Sequence, residues 1–115
     1  MNDAPTKPNP VVFVYVTVNR VDEAQRIGRE LVESGLVACV NIIDGVQSIY
    51  RWQGAICEDR EAVIIAKTTQ ATVEAVIAKI KASHAYDCPC IVALPVVSGF
   101  APFLEWVVSQ TQKSH

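Results

Sequence analysis

The chain has 115 residues, half of them hydrophobic, and its 10 basic and 12 acidic side chains give a formal charge of −2. That length suits one domain with one core, and the lack of a Lys/Arg stripe argues against contact with nucleic-acid phosphates. No apolar run approaches the roughly 18 residues that a membrane helix requires, so neither nucleic acid nor membrane is an expected partner.

Residues 1–10, MNDAPTKPNP, have three prolines and lack the basic start and apolar segment of a secretory signal. They read as a disordered tail ahead of a single domain at residues 11–112. Val11–Val18, VVFVYVTV, is β-branched and aromatic, which suits a strand, and its near-continuous apolarity predicts burial on both faces. Ala24, Ile27, Gly28, Leu31, Val32 and Gly35 then fall at helical spacing, with Asp22 and Glu23 in the first turn and Gly35 placed to stop the helix. LVACVNII returns to strand composition, and the chain continues through Asp44-Gly45 to VQSIYRW and Gln53-Gly54. In the next strand Glu61, Val63, Ile65 and Lys67 share one face by the period of two, and Ile65 is expected to pack. Val73, Val76, Ile77 and Ile80 repeat the helical spacing behind Thr69 as a cap. CIVALPVV is the last strand, and Phe103, Leu104, Trp106 and Val107 mark a final short helix.

The order β-α-β-β-α-β-α is a doubled split βαβ unit, so the sequence predicts an α+β, ferredoxin-like fold with two helices on one face of an antiparallel sheet. Residues 36–52 strain a monomer: at ~3.3 Å per residue they span about 55 Å, too long for a body with a radius of gyration of about 13 Å per 100 residues. Asp44-Gly45 is then either a hairpin turn, which dipeptide rules favour, or a bulge in a projecting ribbon. Either way an apolar edge is left over, and association follows.

As an ordered set, Thr17, the helix from Asp22-Glu23-Ala24, Leu36 to Ile43 with Ala38-Cys39-Val40-Asn41, Gly45, Ser48-Ile49-Tyr50, Trp52, Gly54, Glu61, Lys67-Thr68, His84, Tyr86, Pro89 and Leu94-Pro95-Val96 resembles the CutA family of divalent-cation tolerance proteins, over residues 11–108. The resemblance implies a homotrimer in which long β-ribbons extend the sheets of neighbours. It favours Gly45 as the bulge and Gln53-Gly54 as the turn.

Two sets of residues stand out chemically. HAYDCPC, residues 84–90, gathers imidazole and thiolate donors that suit Cu(I) or Zn, with His84 first, Cys90 second and Cys88 third, and no cofactor required for folding. In the resembled family a proposed copper site combines the position of His84 with a Glu at that of Cys90 and a Cys at that of Val16, so only His84 carries over directly. The plainer reading is a helix-terminal His and two small strand residues. The second set, Tyr50, Trp52, Glu61, Lys67 and Tyr86, is of the kind that lines an inter-subunit groove in that family, where a lysine among aromatics suits a small-molecule or protein ligand; the plainer reading is an ion pair among interface aromatics. The four cysteines, Cys39, Cys57, Cys88 and Cys90, are too few and too irregular for a disulfide framework, which predicts reduced thiols in the cytoplasm. His84 beside Cys88 or Cys90 lacks an orienting third residue and an oxyanion element, so no enzyme activity is expected.

Overall fold

The computed structural model describes residues 9–84 and 89–111. Residues 1–8 of the expected tail lie outside the described residues, as do Tyr86, Asp87, Cys88 and the last four positions. Asn9 and Pro10 are tethered: the Asn9 side-chain oxygen accepts from the Ala71 N–H at 3.1 Å, and the Pro10 carbonyl accepts from the Gln70 N–H at 2.9 Å.

The expected element order is present. Strand β1 (Val11–Val18) leads to helix α1 (Val21–Glu33), the long strands β2 (Cys39–Trp52) and β3 (Ala55–Thr69), and a 3-10 turn (Gln70–Thr72) that runs into α2 (Val73–Ser83). Strand β4 (Ile91–Pro95) and helix α3 (Ala101–Ser109) complete it. The sheet order is β2-β3-β1-β4 with every pairing antiparallel, the ferredoxin-like arrangement.

Alternation decides what is covered. Val14, Val16 and Val18 of β1 and Ala62, Ile64 and Ala66 of β3 meet Ala24, Ile27 and Leu31 of α1 and Val76 and Ile80 of α2 in one core. Phe13, Tyr15 and Thr17 point to the other face and are only half-buried, so β1 is sealed on one face within a single chain rather than on two. The same parity corrects the expectation for Ile65, which is half-buried on that open face, while its neighbour Ile64 is the fully buried core residue.

Helix α1 ends as its sequence requires. Gly35 takes φ 77°, its N–H reaches the Val32 carbonyl at 3.0 Å and the Leu36 N–H reaches the Leu31 carbonyl at 3.2 Å. This is a Schellman closure, which favours glycine because the left-handed conformation strains a Cβ. Thr69 does stand at the start of the 3-10 turn, but its side chain makes no capping bond; the hydroxyl is buried with no partner among the described residues.

Strands β2 and β3 form the projecting ribbon. Trp52 pairs with Ala55, leaving Gln53 and Gly54 as a two-residue turn with φ 51° and 81°, the geometry of a type I′ hairpin. Asp44-Gly45 is not the turn that dipeptide rules favour: Ile43 pairs with Val63 and Val46 with Glu61, so both residues oppose Ala62 in a bulge. The ribbon gives the molecule an extent of 57 × 28 × 26 Å and a radius of gyration of 15.7 Å, above the roughly 13 Å of a compact domain of this size.

Candidate functional site

Thr17, at the end of β1, is the junction of the first set of residues. His84 caps the C-terminus of α2 in an extended conformation, with its own N–H held by the Lys81 carbonyl at 3.3 Å. Its ring returns to the sheet, where Nε2 lies 2.7 Å from the Thr17 carbonyl oxygen. A carbonyl only accepts, so Nε2 carries the hydrogen, and in the neutral ring the lone pair is on Nδ1. The Thr17 N–H in turn donates to the Cys90 carbonyl at 3.3 Å, extending the β1–β4 ladder by one step. One residue of β1 therefore anchors His84 through its carbonyl and Cys90 through its amide. The Cys90 side chain is exposed. Cys88 lies outside the described residues, and among those described no group of three His, Cys, Asp or Glu side chains converges. Val16, where the resemblance places a cysteine ligand, is fully buried on the helix-covered face.

The second set does not converge within one chain. Glu61 stands at the bulge and Tyr50 pairs with Cys57; Lys67 is six residues up β3 from Glu61, which at ~3.3 Å per residue is about 20 Å. A direct Glu61–Lys67 ion pair inside a subunit is ruled out by that spacing. Lys67 instead places its ammonium 5.6 Å from the Phe13 ring centroid and 5.8 Å from that of Phe103, bridging β1, β3 and α3 by cation–π contact. Trp52, at the ribbon tip, is half exposed. Tyr86 lies outside the described residues.

Tyr50 has a partner of its own. Its hydroxyl donates to Asp59 Oδ2, the diagonal neighbour across the ribbon. The hydrogen bond to Asp59 is the main cause that pushes the phenol pKa from 10.0 up to about 12, with desolvation and the Asp59 charge acting in the same direction. Because the folded value exceeds the unfolded one, this contribution to stability is complete below about pH 10 and is lost as pH rises towards 12. Tyrosinate absorbance is expected to show a group ionising near pH 12 that returns towards 10 in Asp59→Ala; an unchanged titration would remove Asp59 as the cause.

Sequence reasoning missed Thr17 as an anchor, Asp59 as the partner of Tyr50, and Phe13 and Phe103 as the clamp on Lys67. The Tyr50–Asp59 diagonal is readable once Gln53-Gly54 is the turn, because that turn fixes the register. The other contacts are long-range and leave no local signal.

A four-stranded antiparallel sheet in the order β2-β3-β1-β4, with two helices on one face and a projecting β2–β3 ribbon, defines a ferredoxin-like domain of the ribbon-bearing kind. Residues 12–110 match the family described as CutA1 divalent ion tolerance protein. The chain is 43% identical over 98 residues to the divalent-cation tolerance protein CutA of Thermus thermophilus, covering 85% of this chain and 95% of that one. It is 37% identical over 105 residues to the chloroplastic protein CutA 1 of rice, covering 91% of this chain but 59% of the relative's length. The crystal structure of rice CutA1 superposes with a TM-score of 0.89 at 36% identity, over 95% of this chain and all of that one. The chain belongs to the CutA1 divalent ion tolerance family. Among the described residues, no helix is long and apolar enough to cross a membrane.

Proposed function

We propose that this chain serves divalent-cation tolerance as a cytoplasmic, non-enzymatic, metal-responsive homotrimer, with a weak, labile site for soft metal made by His84 first, Cys90 second and Cys88 third. The observation that carries the reading is the Thr17 junction. A metal-binding imidazole ordinarily donates its second ring N–H to a carbonyl or carboxylate, which fixes tautomer and ring orientation. Here Nε2 donates to the Thr17 carbonyl, which orients the ring at the end of β1, and Cys90 is tied to the same Thr17. A thiolate is softer than a carboxylate, which directs preference towards Cu(I) or Zn. With fewer than four fixed protein ligands the ion stays exchangeable and the fold does not depend on it. Anaerobic Cu(I) and Zn titrations are expected to weaken in His84→Ala and, less, in Cys90→Ser, with metal lost on dialysis. Unchanged binding in both variants would refute the site, and unfolding on chelation would refute the dispensable metal.

A second reading is a signalling or scaffolding trimer that takes a small-molecule or protein ligand in an inter-subunit groove. The observation in its favour is the Lys67 ammonium, held between two aromatic rings on the open face of the sheet. A ligand whose binding is abolished by Lys67→Ala and untouched by His84→Ala would favour it over the metal reading.

A further inference from the structure

Lys67 is a cation without an anion. The side chains that flank it on its face of the sheet are Phe13 and Cys39, its cross-strand partners, and Ile65 and Thr69 along β3, and none of them is acidic. Among the described residues its ammonium takes part in no ion pair and no hydrogen bond. What it has is two ring faces, Phe13 at 5.6 Å and Phe103 at 5.8 Å. A ring offers a quadrupole rather than a net charge, so the ammonium keeps its donors for an oxygen acceptor.

The next position on that face repeats the pattern. Thr69 is 1% exposed, and its hydroxyl has no partner among the described residues, although a buried hydroxyl ordinarily finds one. Lys67 and Thr69 are about 6.6 Å apart along the strand, close enough for one carboxylate to accept from the ammonium with one oxygen and from the hydroxyl with the other. Apolar surface adjoins the pair. Phe103 lies against Trp106, with ring centroids 6.0 Å apart at a 32° tilt. Trp106 is 42% exposed, and Leu94, cross-strand from Phe13, is 48% exposed. One ammonium matches one negative charge, and the rings beside it match a flat apolar body better than the fully polar shell of a phosphate.

We infer that this face of the sheet is a site for an aromatic monocarboxylate, whose carboxylate accepts from Lys67 and Thr69 while its ring lies against Phe103 and Trp106. The inference deepens the groove reading above and rests on it. Phenylacetate is the probe, titrated by saturation-transfer NMR beside phenylacetamide, which keeps the ring and loses the charge, and acetate, which keeps the charge and loses the ring. The wild type is expected to bind phenylacetate with a Kd on the order of 1 mM, and the other two at least about tenfold more weakly. Lys67→Met is expected to weaken phenylacetate at least about tenfold and Thr69→Val about threefold, while Lys67→Arg keeps the charge and most of the binding. Phenylacetamide bound as tightly as phenylacetate, with both lost in Lys67→Met, overturns the charge match and leaves the groove reading standing. Phenylacetate binding that Lys67→Met leaves unchanged takes the probe away from Lys67, which overturns the inference and removes its support for the groove. Unchanged affinity in Thr69→Val overturns the Thr69 contact, and a wild type that binds no phenylacetate overturns the ligand class. If circular dichroism shows Lys67→Met unfolded, Lys67→Gln takes its place with the same two outcomes.

Discussion

Ile64→Ala is expected to cost about 2–5 kcal/mol of stability, the range for removing a fully buried aliphatic side chain and leaving part of its cavity behind. Ile64 is fully buried on the helix-covered face of the sheet, in one core with Val14, Val16 and Ala66 of the strands and Ile27, Leu31 and Val76 of the helices. Lys67→Ala is expected to cost far less, about 0.5–1 kcal/mol, because a half-exposed ammonium over aromatic rings gains only a modest cation–π energy. Ile65→Ala should fall between the two in a separated chain, since that side chain is half-buried on the open face. Urea unfolding of the three variants at one fixed protein concentration gives the comparison. Equal midpoints for Ile64→Ala and Lys67→Ala would mean that Lys67 is a buried structural residue.

The order of these three residues shows what could be read from the sequence. The strands, the helices and their order were legible because their signals are local: β-branched runs, a 3.6-residue apolar stripe and Gly35 at a helix end. The phase of alternation in β3 was not, since VIIA is apolar at every position and the choice between Ile64 and Ile65 depends on which side the helices lie. The bulge at Gly45 defeated the dipeptide rule for the same reason. Asp-Gly permits a tight turn, but the type I′ turn at Gln53-Gly54 keeps the full ladder from Val46 to Trp52 paired with Ala55 to Glu61, and that gain is non-local. At the site, His84 and Cys90 were legible as ligand types. Their shared anchor was not, because Thr17 takes part through its backbone, which any residue offers equally.

Thermal unfolding should depend on protein concentration. If three chains dissociate as they unfold, the free energy of N₃ ⇌ 3U contains the square of the chain concentration, so each tenfold increase stabilises the assembly by about 2.8 kcal/mol per trimer. Unfolding entropy near 60 °C is about 2.1 cal/mol/K per residue, or roughly 0.7 kcal/mol/K for three chains of this length. The midpoint is therefore expected to rise by about 4 °C per decade of concentration, and Trp52→Ala should lower the whole series, since half of that side chain stays uncovered on an isolated chain. A folded monomer would give a flat line, as its equilibrium contains no concentration term. The open face explains why the steep line is expected. It carries Ile43, Val92 and Leu94 close to half exposed, while Ile49 and Ile56 are exposed on the opposite face of the ribbon; apolar surface gathered in this way marks an association site, and obligate interfaces of that character behave like a divided core. Calorimetry over two decades of concentration would separate the outcomes, because a shift of about 8 °C lies well outside its error, while a midpoint that did not move would return the chain to a self-sufficient monomer.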